Sequence, residues 1–462
     1  MTIMGLLFIA AVGFAFSIAL LRPWFCFVLV CCFMVLEGTI QSYVPFFASD
    51  ANRPLINYTV ALLAGLTVVI RIFREPGSFR NAINPVLIIV ICIVVLSYFG
   101  VYWSSDAPNG VLLTRNGVPY SVLYVVVTPL LISSLPELGR VRIPFIFIAT
   151  GALVMLLMSP NVRFEGERLV NAITSSESTG VLSNGELGVM VFVFVALTTF
   201  DGARKLVFPL AAGAGFLGLG MGFYTGARGQ VIAGIVVILL CYPLARKVKS
   251  FGSFITLGFG LLIFLGIVVV AVQFFITKNN ADRWSLETLA SAGGRGDIVA
   301  DCIASWLNNP STWVFGQGSG SFMTLGTGHA YPHNHGIELL MELGLVGFGL
   351  YLLMIGYLVW YGRALFKTYR DDKEMRPIVA LLIGVCLFVF VISLKQGSVH
   401  NAGNVFFWYL ILGRLGARNA EEAKYAHHFD DGGDDYDDDE EEEDEEGDDD
   451  LEYELEEDPQ HA

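Results

Sequence analysis

The sequence predicts an all-α fold, a polytopic transmembrane helical bundle of about 12–13 helices. Three observations predict it. Hydrophobic residues make up 54% of the chain and charged residues only 15%. Apolar segments recur along nearly its whole length, many near the ~17–25 residues that cross a hydrocarbon core. Basic residues gather in alternate connections, as a fixed orientation across a membrane requires.

Thirteen apolar segments follow in order, at 3–21, 24–40, 55–70, 84–102, 119–136, 143–158, 187–200, 206–224, 230–245, 252–276, 337–360, 377–394 and 403–416. The first runs into Arg22-Pro23 without a charged leader or a small-residue cleavage site. It therefore reads as a retained helix, not a cleaved signal. Segments 24–40, 187–200 and 403–416 are short, which suits tilted or re-entrant pieces. Connections after odd-numbered segments hold 16 basic residues, against nine after even-numbered ones. That bias places the odd connections and the C-terminal tail in the cytoplasm. The long connection 277–336 then faces outward.

The net charge of −15 conceals two unlike parts. Residues 421–462 hold 24 of the 43 acidic residues and one of the 28 basic ones. The body, 1–420, carries 27 basic against 19 acidic residues, and is read as one membrane domain. The tail is a like-charge block from Asp430 to Asp458 with almost nothing to bury, so it is expected to be disordered. Its sequence names no partner. Six of the seven cysteines fall in apolar segments, and Cys302 alone lies in a polar connection. No intrachain disulfide and no metal spacing follow from that.

Within 277–336, residues 295–307 place Ile298, Val299, Cys302, Ile303, Trp306 and Leu307 on one helical stripe. Such a helix is expected to lie on the membrane surface or cap the bundle. Asn308-Asn309-Pro310 ends it. Gly316, Gly318 and Gly320 then permit a tight backbone. Gly316-Gln317-Gly318-Ser319-Gly320 lacks the strand and helix context of a nucleotide loop.

Three polar features converge on the outward face. Arg228 sits in a very short turn between two apolar segments, where a guanidinium needs an anionic partner or must snorkel to the interface. Arg295, flanked by Gly294 and Gly296, is suited to bidentate phosphate binding, or is an ordinary solvated arginine. His329, His333 and His335 precede a helix carrying Glu338 and Glu342. The histidines have a spacing that zinc tolerates, and Asn334 or His335 also suits a helix cap. Neither pattern is specific, and no metal is expected.

His333-Asn334, followed after nine residues by Gly344 and after two more by Gly347, resembles the signature of the O-antigen ligase and O-antigen polymerase-like superfamily. That family has an arginine at a short outward turn, as at Arg228, and another in the long outward loop, as at Arg295. Leu307-Asn308-Asn309-Pro310 and Val314-Phe315-Gly316-Gln317-Gly318-Ser319-Gly320 are similar to its stretch before the histidine. The likeness covers roughly residues 187–360. The extra apparent helix and the acidic tail depart from it.

The resemblance implies a C-type glycosyltransferase fold in a bacterial inner membrane, with its site on the periplasmic face. The donor would be a glycan on undecaprenyl diphosphate. The acceptor would be lipid A–core for an O-antigen ligase, the leading expectation, or a second lipid-linked glycan for a polymerase. Membrane lipids are the other expected partners; no nucleic acid, cofactor or metal is implied. Arg228 and Arg295 would hold the diphosphate, His333 would serve the acceptor hydroxyl, and Asn334, His335 and Glu338 would support it. A transporter or lipid flippase is the alternative of another class. The sequence shows no internal repeat of the kind common there, its membrane carboxylates are few, Glu37 the clearest, and its polar residues cluster outward.

Overall fold

The computed structural model describes residues 3–49, 51–159, 162–165, 168–171, 179–200, 202–246, 250–275, 295–329, 331–396, 398–401 and 403–430. Among these the chain is a helical bundle, and each of the thirteen apolar segments falls on helix. The helices are α1 (Ile3–Leu21), α2 (Pro23–Cys31), α3 (Phe33–Tyr43), α4 (Arg53–Arg74), α5 (Pro85–Phe99), α6 (Ala107–Ser121) and α7 (Leu135–Leu157). After a hairpin come α8 (Thr179–Leu197), α9 (Phe208–Tyr224), α10 (Arg228–Ala245) and α11 (Phe251–Phe275). The rest are α12 (Arg295–Leu307), α13 (His335–Tyr369), α14 (Met375–Ser393) and α15 (Gly403–Asp430).

Eight described helices are long and apolar enough to cross a membrane. The pair α2 and α3, bent by 68° at Cys32, makes a ninth if counted as one span. The sequence leads one to expect 12–13, and this count covers only the described residues, among which Ser183–Leu197 and Phe251–Gly260 are shorter apolar helices. One short antiparallel hairpin of β1 (Val162–Glu165) and β2 (Arg168–Asn171) interrupts an otherwise helical fold. The β-branched and aromatic Val162, Phe164 and Val170 favour extended chain over helix there.

Local chemistry sets the helix starts. Asn84 caps α5, its Oδ1 accepting from the Leu87 amide at 3.2 Å, and Pro85 fills the first turn. Asp106 caps α6 in the same way through the Asn109 amide at 3.2 Å. This start lies twelve residues before the apolar segment, because capping rather than hydropathy begins the helix. Continued by π and 3-10 turns, the span runs from Ala107 to Leu131.

The core is aromatic. Phe27 meets Trp408 edge-on at 5.3 Å, and Phe145 lies 4.2 Å from Phe194. Gly188 of α8 and Gly218 of α9 face each other so closely that a methyl group on either would strike the other's carbonyl. Small residues of this kind let membrane helices approach backbone to backbone. The body forms one unit, Met1–Ala420, and Glu421–Ala462 a second. The last helix runs from Gly403 through Glu421 to Asp430. Ala420, Glu421, Glu422, Ala423 and Lys424 are all good helix formers. Most of the acidic block, 431–462, lies outside the described residues.

Candidate functional site

The site is built around a break in α13. Gly344 has φ +66° and ψ −159°, which no helix accommodates. The break frees backbone groups on both sides, and the loop 313–318 takes them. Leu345 and Val346 donate to the carbonyls of Trp313 and Val314 at 2.8 and 3.1 Å. Gln317 and Gly318 donate to those of Met341 and Glu342, both at 2.9 Å. Gly316, at φ +72°, passes so near Glu342 and Leu343 that a side chain there would overlap their backbone. Only glycine tolerates both the conformation and the approach. The same loop reaches the corner after α5, where Ser319 donates to Gly100 O at 3.2 Å and Ser104 Oγ to Ser319 O at 2.8 Å.

α12 packs on the first part of α13. Ile298 and Cys302 are buried with Phe322 and Met341, and Ile337 lies against them. Burial pushes the Cys302 thiol up to about 12, with help from the carboxylates of Glu338, Asp301 and Glu342. That cysteine is a core residue and not a nucleophile at neutral pH.

His333 stands just before α13 with φ +60°, one of two described non-glycine residues with positive φ. The conformation is uncommon for a side-chain-bearing residue, and such strain gathers at functional sites. Its half-buried ring meets Tyr331 at 4.5 Å and His329 at 5.5 Å, both edge-on. Asn334 is the helix cap, accepting from the Ile337 amide at 3.1 Å. Its amide nitrogen also donates to Leu394 O at 3.1 Å, in the turn after α14.

That turn joins the histidine stretch to Arg228. Gln396 accepts from Gln230, near the start of α10. Lys395 Nζ lies against Gly229, where a methyl group would collide with it. Arg228 is half-buried at the first position of α10, after a turn whose Gly226 has φ +64°. Segment 394–396 thus ties both elements to one end of the bundle and adds a lysine between them. Arg295 opens α12, and its side chain lies outside the described residues.

His335 and Glu338 turn inward. His335 is 2% exposed, and neither ring nitrogen has a partner among the described residues. Glu338 accepts from Ser398 Oγ and, at 2.8 Å, from the Val399 amide. One turn on, Glu342 accepts from the Gly320 amide at 3.0 Å and meets His400 Nε2 at 3.1 Å. Burial lowers the affinity of His400 for a proton, but its hydrogen bond with Glu342 and the charges of Glu342 and Glu338 outweigh that. Its pKa is raised above the ordinary imidazole value.

The group Glu338, Glu342 and His400 has ligand atoms within 4.8 Å of one another, a spacing a cation could use. Ser97 Oγ lies 3.4 Å from His400 Nδ1, so Ser97, His400 and Glu342 also mimic a hydrolase relay. Neither chemistry suits the surroundings. All four side chains are buried, the carboxylates are already engaged by protein donors, and the cleft beside them has no room for a water molecule. The network fastens loop 316–320 and segment 398–400 to α13.

The expected residues are therefore divided. His333 and Arg228 are half-exposed, Asn334 positions the start of α13, and His335 and Glu338 are buried inside. Lys395, Gln230, Gln396 and His400 were not singled out from sequence. A lysine and a histidine in one short connection, 395–402, were the available signal. No family model matches the chain, and no curated protein does, so a functional reading stands on this geometry and on the sequence motif.

Proposed function

We propose that the protein is a membrane glycosyltransferase that moves a glycan from a polyprenyl diphosphate to an acceptor hydroxyl. The single observation that carries this is the convergence of His333-Asn334 and the Arg228 turn on segment 394–396. A strained, half-exposed imidazole beside cations at one end of an apolar bundle suits a lipid-borne, anionic leaving group. In the reaction the bond from the sugar's anomeric carbon to the diphosphate oxygen breaks. The acceptor oxygen bonds that carbon, and its proton passes to His333. Arg228, Lys395 and Arg295 take the charge that remains on the diphosphate. The residues do this without a nucleotide or a cofactor.

The leading form of the reading is an O-antigen ligase at the periplasmic face of the inner membrane, with lipid A–core as acceptor. Addition to a second lipid-linked glycan, a polymerase reaction, is the alternative, and the site geometry favours neither. One experiment addresses both: purified protein, an undecaprenyl-diphosphate glycan, and each acceptor in a separate arm. Transfer to lipid A–core that disappears with His333→Ala supports the ligase. Elongation in the other arm supports the polymerase. Full activity of His333→Ala, or no transfer in either arm, overturns the proposal.

A further inference from the structure

Far from the histidine end, a cavity of about 320 Å³ lies between α8, α9, α10 and α11. That volume reaches the range of small-ligand pockets. Phe192, Val195, Phe216 and Ile238 form its inner wall. Phe208 and Ile263 also line it and are at least half exposed, so it opens sideways, out of the bundle.

Its polar groups lie at one end. Thr198 follows the last residue of α8, and Tyr242 and Arg246 stand at the end of α10. Thr198 is 2% exposed, and its hydroxyl has no partner among the described residues. Arg246 rests over the Tyr242 ring at 5.5 Å and has no carboxylate partner among the described residues. Arg376 holds this turn in place. It donates to Leu244 O at 2.7 Å and Arg246 O at 2.8 Å, capping α10 and adding a second positive charge. α10 is 18 residues long, or about 27 Å, so Arg246 and Arg228 stand roughly one hydrocarbon thickness apart.

We propose that this cavity binds one anionic phospholipid. An acyl chain enters between α9 and α11, and the phosphate meets Arg246 with the Thr198 hydroxyl as a further donor. An apolar slot with a lateral opening and a cationic end has the polarity of such a lipid. A zwitterionic lipid would bring a second cation toward Arg246 and Arg376. The proposal is independent of glycan transfer.

The test uses the full chain reconstituted in equimolar phosphatidylcholine and phosphatidylglycerol vesicles, then extracted gently and analysed by native mass spectrometry. The wild type should retain one phosphatidylglycerol in preference to phosphatidylcholine. Arg246→Ala should lower that preference about fivefold, the worth of one basic residue at an anionic surface. Ala212→Phe, which fills the cavity, should remove the bound lipid while thermal melting stays cooperative. If that variant does not fold, the Arg246→Ala ratio alone decides. An unchanged ratio in Arg246→Ala overturns the proposal. Displacement of phosphatidylglycerol by added undecaprenyl phosphate, equally in wild type and Arg246→Ala, also overturns it, because the cavity would then house a polyprenyl chain.

Discussion

Beside the start of α5, Arg71 and Arg414 are buried, and protein oxygens surround their guanidinium groups. Arg71 donates to Leu131 O at 2.8 Å and Ser133 Oγ at 2.7 Å, and pairs with Glu137 at 2.5 Å. Arg414 donates to Pro129 O at 2.8 Å, Ile132 O at 2.9 Å and Ser78 O. At the other end of α5, Arg228, Lys395 and His333 are half-exposed on turns. Both regions gather basic side chains, yet with opposite uses. Where carbonyls converge on a buried cation, the cation holds the chain together. Where turns hold several basic side chains half-exposed, a ligand can reach them from outside.

Substitutions at the two ends should separate these roles. The largest effect is expected from His333→Ala, which removes the proposed proton acceptor. Transfer should fall by about 10²–10⁴-fold while thermal melting stays as in the wild type. Parallel loss of melting temperature would instead place His333 with the structural cations. Next comes Arg71→Ala, which takes a charged donor away from Glu137, Leu131 O and Ser133 Oγ. It should cost about 3–5 kcal/mol of stability, read as lost folded yield on size exclusion, with normal transfer per folded molecule. Gly229→Ala displaces Lys395 and should weaken donor use about tenfold, with acceptor use unchanged. Equal weakening of both would remove Lys395 from the proposed diphosphate site.

Smaller effects probe what holds the site. Asn334→Ala loses the cap and the tie to Leu394, at about 1 kcal/mol for the cap. Asn334→Asp keeps the cap alone, so comparing its transfer rate with the wild type isolates the tie. His400 should give the smallest signal, in the pH dependence of melting. Its folded pKa is raised, so its contribution is complete below about pH 6.5 and fades as pH climbs through the raised value. The wild type should lose melting temperature across that window. His400→Gln should lack that slope; the same slope in both would deny His400 its charge.

The sequence exposed whatever depends on neighbours along the chain. Apolar runs marked the helices, and the stripe from Ile298 to Leu307 marked α12 to the residue, because periodicity is local. His333-Asn334 drew notice because an imidazole and an amide beside an apolar run are unusual. Long-range pairings were invisible. Nothing near Ser97 or His400 announces that 303 residues of chain close to bring them together. Glu342 reads as one more acidic residue until Gly320 and His400 are seen on either side of it. The left-handed backbone of His333 was equally hidden, since histidine carries no marker for positive φ. Gly344 was visible as a motif residue, but its use as a break was not.

That break bears on how the protein is made. Four backbone groups around Gly344 find their partners only in loop 313–318. In hydrocarbon each unmet group costs several kcal/mol. The span beginning at His335 therefore cannot settle in a bilayer by its own helical bonding, however apolar it is. It needs a stretch of chain synthesised just before it, already folded against this end of the bundle. Biogenesis and the candidate site thus meet at one seam: a molecule whose loop has failed to arrive also lacks a stable seat for His333.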